Sequence, residues 1–158
     1  MSSKEALHIR MAEYDDIEAI LGITSAAFVN YQKLSGASKL DALEENYDKV
    51  KKDIDTKLVF VAVLENEVAG CVRVELLSEE NAYLTRFAVK PDIQNKGIGK
   101  ALMNAVDTEM EKHLVKLLSL HTGAEVESLM NFYFGRGFSV ESTESSRGYL
   151  RAKLIKKY

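Results

Sequence analysis

Apolar and polar positions follow two different periods along the chain, and each period predicts a different kind of element. Residues 57–64 and 68–77 are rich in β-branched side chains, and in the second stretch apolar positions recur at every second residue. Two such runs joined by the polar residues 65–67 predict a β-hairpin. Residues 98–110 instead carry apolar side chains at intervals of three and four, which predicts an amphipathic helix.

Weaker patterns predict the remaining elements. Short apolar runs predict strands at residues 8–11, 82–89, 115–121, 138–141 and 149–155. Helical spacing begins near Ile17, resumes behind a capping pattern at residues 38–41 and continues to Val50, and returns over residues 125–134. Strands come first and then alternate with helices, which predicts one mixed sheet with helices on both faces.

Length and charge exclude several classes of protein. The chain has 158 residues, with 21 basic and 24 acidic side chains and no long run of one sign, which predicts a single domain over residues 1–158 without a nucleic-acid surface. The apolar run at residues 58–64 is too short to span a bilayer, and the first ten residues lack the apolar segment of a signal peptide. Together with the lone Cys71, these features predict a soluble cytoplasmic protein with no membrane partner.

One segment carries candidate chemistry, because it runs from a strand through Pro91 into the helix at residue 98 with Gly97 and Gly99 at the junction. The first N–H groups of a helix have no internal partner, and glycines let the main chain approach a ligand closely, so such a junction favours an anion. The spacing excludes a Walker A loop, since Ala101 follows Lys100, and a Rossmann fingerprint, since Leu102 stands where a third glycine is needed.

The wider pattern resembles a known family. Val-x-Pro at residues 89–91, Gln-x-x-Gly-x-Gly-Lys-Ala-Leu at residues 94–102 and Tyr-x-x-x-Gly-Phe at residues 133–138 resemble the acetyl-CoA motifs of the GNAT superfamily of N-acetyltransferases. The resemblance implies an α/β (α+β) fold with a mixed, mostly antiparallel sheet of six to seven strands. It also implies that the strands at residues 82–89 and 115–121 splay apart after Val89.

The resemblance assigns roles to individual residues. Main-chain N–H groups of the loop would hold the CoA pyrophosphate, and those residues are Gln94, Asn95, Lys96, Gly97, Ile98, Gly99 and Lys100. The main chain of Phe87, Ala88 and Val89 would pair with the pantetheine arm, with the Val89 N–H polarising the acetyl carbonyl. Tyr133 would donate a proton to the departing thiolate, although a core aromatic residue also fits its pattern. Val126 stands where many members carry an asparagine that contacts the pantetheine.

The residue that removes the proton of the acceptor amine stays open at this point. The histone-modifying branch uses a glutamate where this chain has Tyr83, and the other candidates are Glu75, Glu79, Glu80, His121 or a chain of water molecules. Residues 28–38 and 142–149, with Tyr31 and Tyr149, would flank the acceptor. The three histidines lack metal-ligand spacing, so no metal is expected, and Cys71 among apolar neighbours is interpreted as buried rather than as a nucleophile.

The sequence thus predicts an acyltransferase that moves an acetyl group from acetyl-CoA to a primary amine on a small molecule or peptide. Transfer would be direct, in a ternary complex, and a homodimer is possible. Two rival hypotheses remain, a CoA-binding regulatory module without turnover and a structural domain that binds no CoA.

Overall fold

A computed structural model describes residues 6–93 and 96–158, which form one seven-stranded sheet with four α-helices packed on it. The strand order is β1-β2-β3-β4-β5-β7-β6, and all neighbours are antiparallel except β4 and β5. The strands are β1 (Leu7–Met11), β2 (Leu58–Leu64), β3 (Glu67–Leu76), β4 (Asn81–Val89), β5 (Leu117–Gly123), β6 (Ser139–Glu144) and β7 (Arg151–Lys157). The helices are α1 (Ile17–Ser35), α2 (Tyr47–Thr56), α3 (Ile98–Lys112) and α4 (Glu127–Gly135).

Alternation along the central strands gives the sheet an apolar core on each face. In β2, Phe60 and Ala62 belong to the core beneath α3, whereas Val59 and Val61 belong to the core beneath α1 and α2. Successive side chains of a strand point to opposite faces, so a strand buried on both sides is apolar throughout. The predicted mixed sheet with helices on both faces is therefore confirmed.

The parallel pair β4 and β5 stays together over only three residue pairs and then opens. Pairing runs from Asn81↔Leu117 to Tyr83↔Ser119, while β4 continues to Val89. The strands do splay, but the expectation that they part after Val89 is wrong, because they part after Tyr83. The cause is a β-bulge in β4, where the register against β3 shifts and Arg86 adopts a left-handed φ of 55°. A bulge bends its strand and ends regular pairing.

The region between α1 and β2 also differs from the prediction. The helix expected from residue 38 to Val50 exists, but its expected start is wrong: residues 41–44 form a short 3₁₀ turn, and α2 begins only at Tyr47. The side chain of Asn46 caps α2 by accepting a hydrogen bond from the Lys49 N–H at 3.0 Å. The break leaves Glu45 in extended conformation, and its side chain turns inward to Arg73. A buried ion pair has overridden the local helical pattern.

Among the helices of residues 6–93 and 96–158, none combines the length and the apolar character that crossing a bilayer requires.

Candidate active site

A cleft of about 720 Å³ occupies the gap between β4 and β5. The surface toward α3 and α4 is called the α3 wall here, and the surface toward α1 is called the α1 wall. Residues of the α3 wall include Phe87, Val89, Gly97, Ile98, Gly99, Lys100, Leu129, Phe132 and Tyr133. Ala88 also lines the cleft, but its side chain packs into the core beneath α1. Residues of the α1 wall include Phe28, Tyr31, Leu34, Leu40, Asp41, Tyr83, Arg86, His121, Arg147, Tyr149 and Arg151.

The end of β4 presents main-chain groups to this cleft. The Lys90 N–H donates to the carbonyl of Ala69 on β3 at 2.9 Å. Because hydrogen-bonding direction alternates along an antiparallel strand, the N–H and C=O of Val89 point away from β3 and toward the gap. The splayed strand therefore offers an edge on which an extended chain can pair.

The N-terminus of α3 lies against the same wall. Gly97 adopts a left-handed φ of 77°, and the first helical bond runs from the Ala101 N–H to the Gly97 carbonyl at 3.0 Å. No side chain in the described part of the chain caps this end, so the N–H groups of Ile98, Gly99 and Lys100 precede the hydrogen-bonded helix. The predicted binding residues Gln94 and Asn95 lie outside the described residues, and Lys96 is exposed and outside the cleft lining.

Gly99 lines the cleft, and the packing around it also requires a residue without a side chain. A Cβ at this position would lie 3.0 Å from Cζ of Phe87 and 3.4 Å from Cζ of Phe132. Those two rings stack with centroids 5.3 Å apart and an angle of 15° between their planes. The missing side chain thus lets the helix approach the stacked pair, which the sequence motif alone does not reveal.

Tyr133 lies beside this stacked pair and lines the cleft. Its ring makes edge contacts with Phe132 and Phe138, and only 5% of the residue is exposed. Its hydroxyl makes no hydrogen bond within the described residues, and burial raises its pKa above the ordinary value. Tyr133 is therefore a core aromatic residue that also lines the cleft, and its role as proton donor stays a prediction.

Val126, which stands where many family members carry asparagine, serves packing. It is buried outside the cleft lining, and a Cβ added to Gly123 would come within 2.9 Å of its Cγ2. This position therefore offers no side-chain amide to the α3 wall.

On the α1 wall, Tyr83 and His121 form a hydrogen-bonded pair with 2.5 Å between Oη and Nδ1. They meet because Tyr83 pairs with Ser119, and His121 follows on the same face of β5. Burial first, and then the charges of Arg151 and Lys153, lower the pKa of His121, so the ring is neutral near pH 7. Burial raises the pKa of Tyr83.

Of the four side chains that the sequence proposed as the base, His121 is the one on the cleft. Glu75, Glu79 and Glu80 are exposed and outside its lining. Sequence reasoning noted Tyr83 only as a departure from the histone-modifying branch and missed its pairing with His121. The register of the parallel strands creates that pairing, and it leaves no local signal in the sequence.

A buried ion cluster supports the bulge of β4. Glu45 accepts two hydrogen bonds from Arg73, each of 2.8 Å, and one from Nε of Arg86 at 3.0 Å. The Arg73 side chain is fully buried and also donates to Asp53 at 2.9 Å. Glu45 therefore joins the interior of the sheet to the bulged residue whose backbone turns β4 away from β5.

Tyr31 and Tyr149 contact each other on the α1 wall of the cleft. Their hydroxyl oxygens lie 3.1 Å apart, and their rings meet edge to face. They come from the two segments that the sequence placed beside the acceptor, and the fold brings both segments to the cleft.

Within the described residues, neither the Cys71 thiol nor a cluster of potential metal ligands lines the cleft. Cys71 is fully buried outside its lining, and burial raises the pKa of the thiol to about 11. Within the described ranges, no three side chains of His, Cys, Asp or Glu converge as metal ligands.

The comparisons with known proteins agree with this geometry. The sequence matches the family Acetyltransferase (GNAT) over residues 19–138. A spermidine N(1)-acetyltransferase of Thermoplasma acidophilum is 22% identical over an alignment of 151 residues, and the match covers 89% of this chain and 93% of that protein. A mycothiol acetyltransferase of Propionibacterium freudenreichii is 27% identical over an alignment of 154 residues, and the match covers 94% of this chain and 47% of that protein.

A solved structure has the same fold over nearly the whole chain. The crystal structure of the PaiA N-acetyltransferase from Thermoplasma acidophilum in complex with coenzyme A superposes with a TM-score of 0.85. The two are 21% identical, and the alignment covers 97% of this chain and 99% of that one. This chain belongs to the acetyltransferase (GNAT) family and is an N-acetyltransferase that takes its acetyl group from acetyl-CoA.

Proposed function

We propose that this protein acetylates a primary amine by direct transfer, with donor and acceptor bound together on opposite walls of the cleft between β4 and β5. The observation that carries the proposal is the early separation of these strands after Tyr83. Both the end of β4 and the Tyr83 and His121 pair line the opening that this separation leaves. Holding two reactants in one cleft replaces a bimolecular encounter by a positioned reaction.

The α3 wall fits acetyl-CoA. The main-chain N–H groups of Gly97, Ile98, Gly99 and Lys100, together with Gln94, Asn95 and Lys96, would hold the pyrophosphate. Hydrogen bonds from N–H groups to a charged group contribute about 1.5–3 kcal/mol each, so several of them outweigh one nearby lysine charge. The main chain of Phe87, Ala88 and Val89 would pair with the pantetheine arm. Acetyl-CoA supplies an activated thioester to this wall.

Val89 and Tyr133 take the roles that stabilise charge during transfer. The Val89 N–H, which faces the gap, would donate to the carbonyl oxygen where negative charge develops. Tyr133 would donate its phenolic proton to the departing sulfur, and it would regain a proton from the second one that the attacking nitrogen loses as the amide forms. Burial keeps this tyrosine protonated, and a thiolate with a pKa near 8.5 leaves more readily beside such a donor.

Tyr83 and His121 would take the proton from the amine. An ammonium with a pKa near 10.4 needs about 4–5 kcal/mol to become neutral at pH 7, so a positioned acceptor is required. In the proposed relay the amine proton moves to Tyr83 Oη, while the phenolic proton moves to Nδ1 of neutral His121. The inert Cys71 agrees with a mechanism that needs no acetylated enzyme.

The test is an acceptor screen with two readouts. Purified protein is incubated with acetyl-CoA and amines that include polyamines, amino acids and peptides, and release of free thiol is followed together with the intact mass of the protein. Sustained release with at least one amine, intersecting initial-rate patterns and no acetylated protein without acceptor are expected. Tight CoA binding without release for any amine would instead favour a regulatory module, and absence of CoA binding would favour a structural domain.

The sequence predictions of a cytoplasmic location and a homodimer stay predictions, and we propose neither as part of the mechanism.

A further inference from the structure

The α1 wall carries more positive than negative side chains. Among the described residues that line it, Arg86, Arg147 and Arg151 are cations, and Asp41 is the carboxylate. Lys100, the other charged lining residue, lies on the α3 wall beside the proposed pyrophosphate site. An acceptor that approaches from the α1 side therefore meets guanidinium groups.

Two of these arginines are fixed by carboxylates outside the cleft lining. Glu45 holds Nε of Arg86 at 3.0 Å, and Glu144 holds Nε of Arg151 at 2.8 Å. Both arginines are among the residues that line the cleft, whereas neither carboxylate is. These ion pairs fix the positions of Arg86 and Arg151 without a ligand.

Arg147 differs from Arg86 and Arg151 because its ion pair is weak. Its Nη1 lies 3.7 Å from Oδ2 of Asp41, and the two side chains are 60% and 70% exposed. Ion pairs exposed to this degree contribute about 0–1 kcal/mol, since water screens them. Arg147 can therefore exchange Asp41 for a ligand carboxylate, or bind both, at little cost. A guanidinium presents a planar fork that matches a carboxylate.

The positive charges also act on the proposed reaction centre. Burial is the larger cause of the lowered pKa of His121, and Arg151, Lys153 and Arg147 lower it further, against an opposing effect of Glu144. An acceptor with a second ammonium beside the reacting amine would be repelled by the same charges. A ligand carboxylate at this place would be attracted.

We propose that the natural acceptor is a primary amine that also carries a carboxylate, bound by Arg147, with an apolar body against Phe28, Tyr31 and Tyr149. This inference rests on the proposed function and specifies its substrate class. An amino acid with an apolar side chain has the required chemistry. Spermidine, the substrate in the name of one relative, carries only positive groups and fits this wall poorly.

The test compares amines that differ only in the carboxylate. Phenylalanine is paired with phenethylamine and leucine with isopentylamine, spermidine is added, and kcat/KM is measured by thiol release. The carboxylated member of each pair is expected to be better by about 5-fold, which is the upper value of one partly exposed ion pair. Arg147→Gln should reduce that preference to about 2-fold or less, within the range of neutral surface changes. Lys52→Gln, which removes an exposed charge from α2 outside the cleft, is the matched control.

The outcomes separate this inference from the proposed function. Turnover in which phenethylamine, isopentylamine or spermidine is preferred would overturn the inference and leave the acetyltransferase mechanism standing. A carboxylate preference that survives Arg147→Gln would overturn the assignment to Arg147. CoA binding without turnover of any amine would refute the proposed function, and the inference with it.

Discussion

Replacing Tyr133 by phenylalanine removes one oxygen atom and keeps the ring that packs against Phe87, Phe132 and Phe138. The hydroxyl has no hydrogen-bond partner within the described residues, so its loss leaves no buried group unpaired. We therefore expect the free energy of unfolding to change by less than about 1 kcal/mol. The dissociation constant for CoA should also stay near the wild-type value, since the proposed CoA contacts are main-chain groups.

Turnover should respond very differently. A positioned general acid contributes roughly 10²–10⁴-fold to a rate, which corresponds to about 2.7–5.4 kcal/mol of transition-state stabilisation. We expect Tyr133→Phe to lower kcat by at least about 100-fold, the low end of that range. The assay is steady-state thiol release with the best amine from the screen, alongside CoA binding by calorimetry and a denaturant melt.

A matched control is Tyr47→Phe, which removes the same atom from an exposed residue of α2 outside the cleft. It should leave kcat unchanged. A Tyr133→Phe variant with the wild-type kcat would show that the thiol obtains its proton elsewhere. A variant with a lower unfolding free energy and a parallel loss of CoA binding would assign the residue to packing alone.

Three other variants test the roles of His121, Glu45 and Gly97. Burial and neighbouring cations lower the pKa of His121, so kcat/KM should begin to fall only when the pH decreases below the ordinary histidine value of about 6.5. This decrease at acid pH should disappear in His121→Asn. The same decrease in the variant would remove His121 from the mechanism. Glu45→Gln should lower the free energy of unfolding by about 3 kcal/mol, because it leaves the buried charge of Arg73 underpaired. Glu44→Gln, at the exposed neighbouring residue, should change that free energy little. Equal free energies of unfolding for the two variants would contradict this prediction. Gly97→Val should weaken CoA binding, because a φ of 77° strains a β-branched residue at the start of α3, and binding at the wild-type constant would refute the role of this turn.

Local chemistry made much of this protein predictable from its sequence. The spacing of apolar residues predicts the hairpin of β2 and β3 and the helix α3. This works because the residues that share one face of a strand or helix recur at a fixed interval along the chain. The loop around Gly97 was identified because a strand, a proline turn and a glycine-rich helix start are contiguous, and its resemblance to GNAT enzymes named the family. The roles of Val89 and Tyr133 remain predictions.

Tertiary structure decided the features that join distant residues. Tyr83 and His121 meet across 38 residues because β4 and β5 pair in parallel, and no local pattern encodes that register. Glu45 interrupts an apparently helical segment because its carboxylate pairs with the buried Arg73 of β3. The same carboxylate also binds Arg86 at the bulge of β4. A sequence determines which residues can be buried or charged, whereas the packing of the whole sheet determines which of them meet.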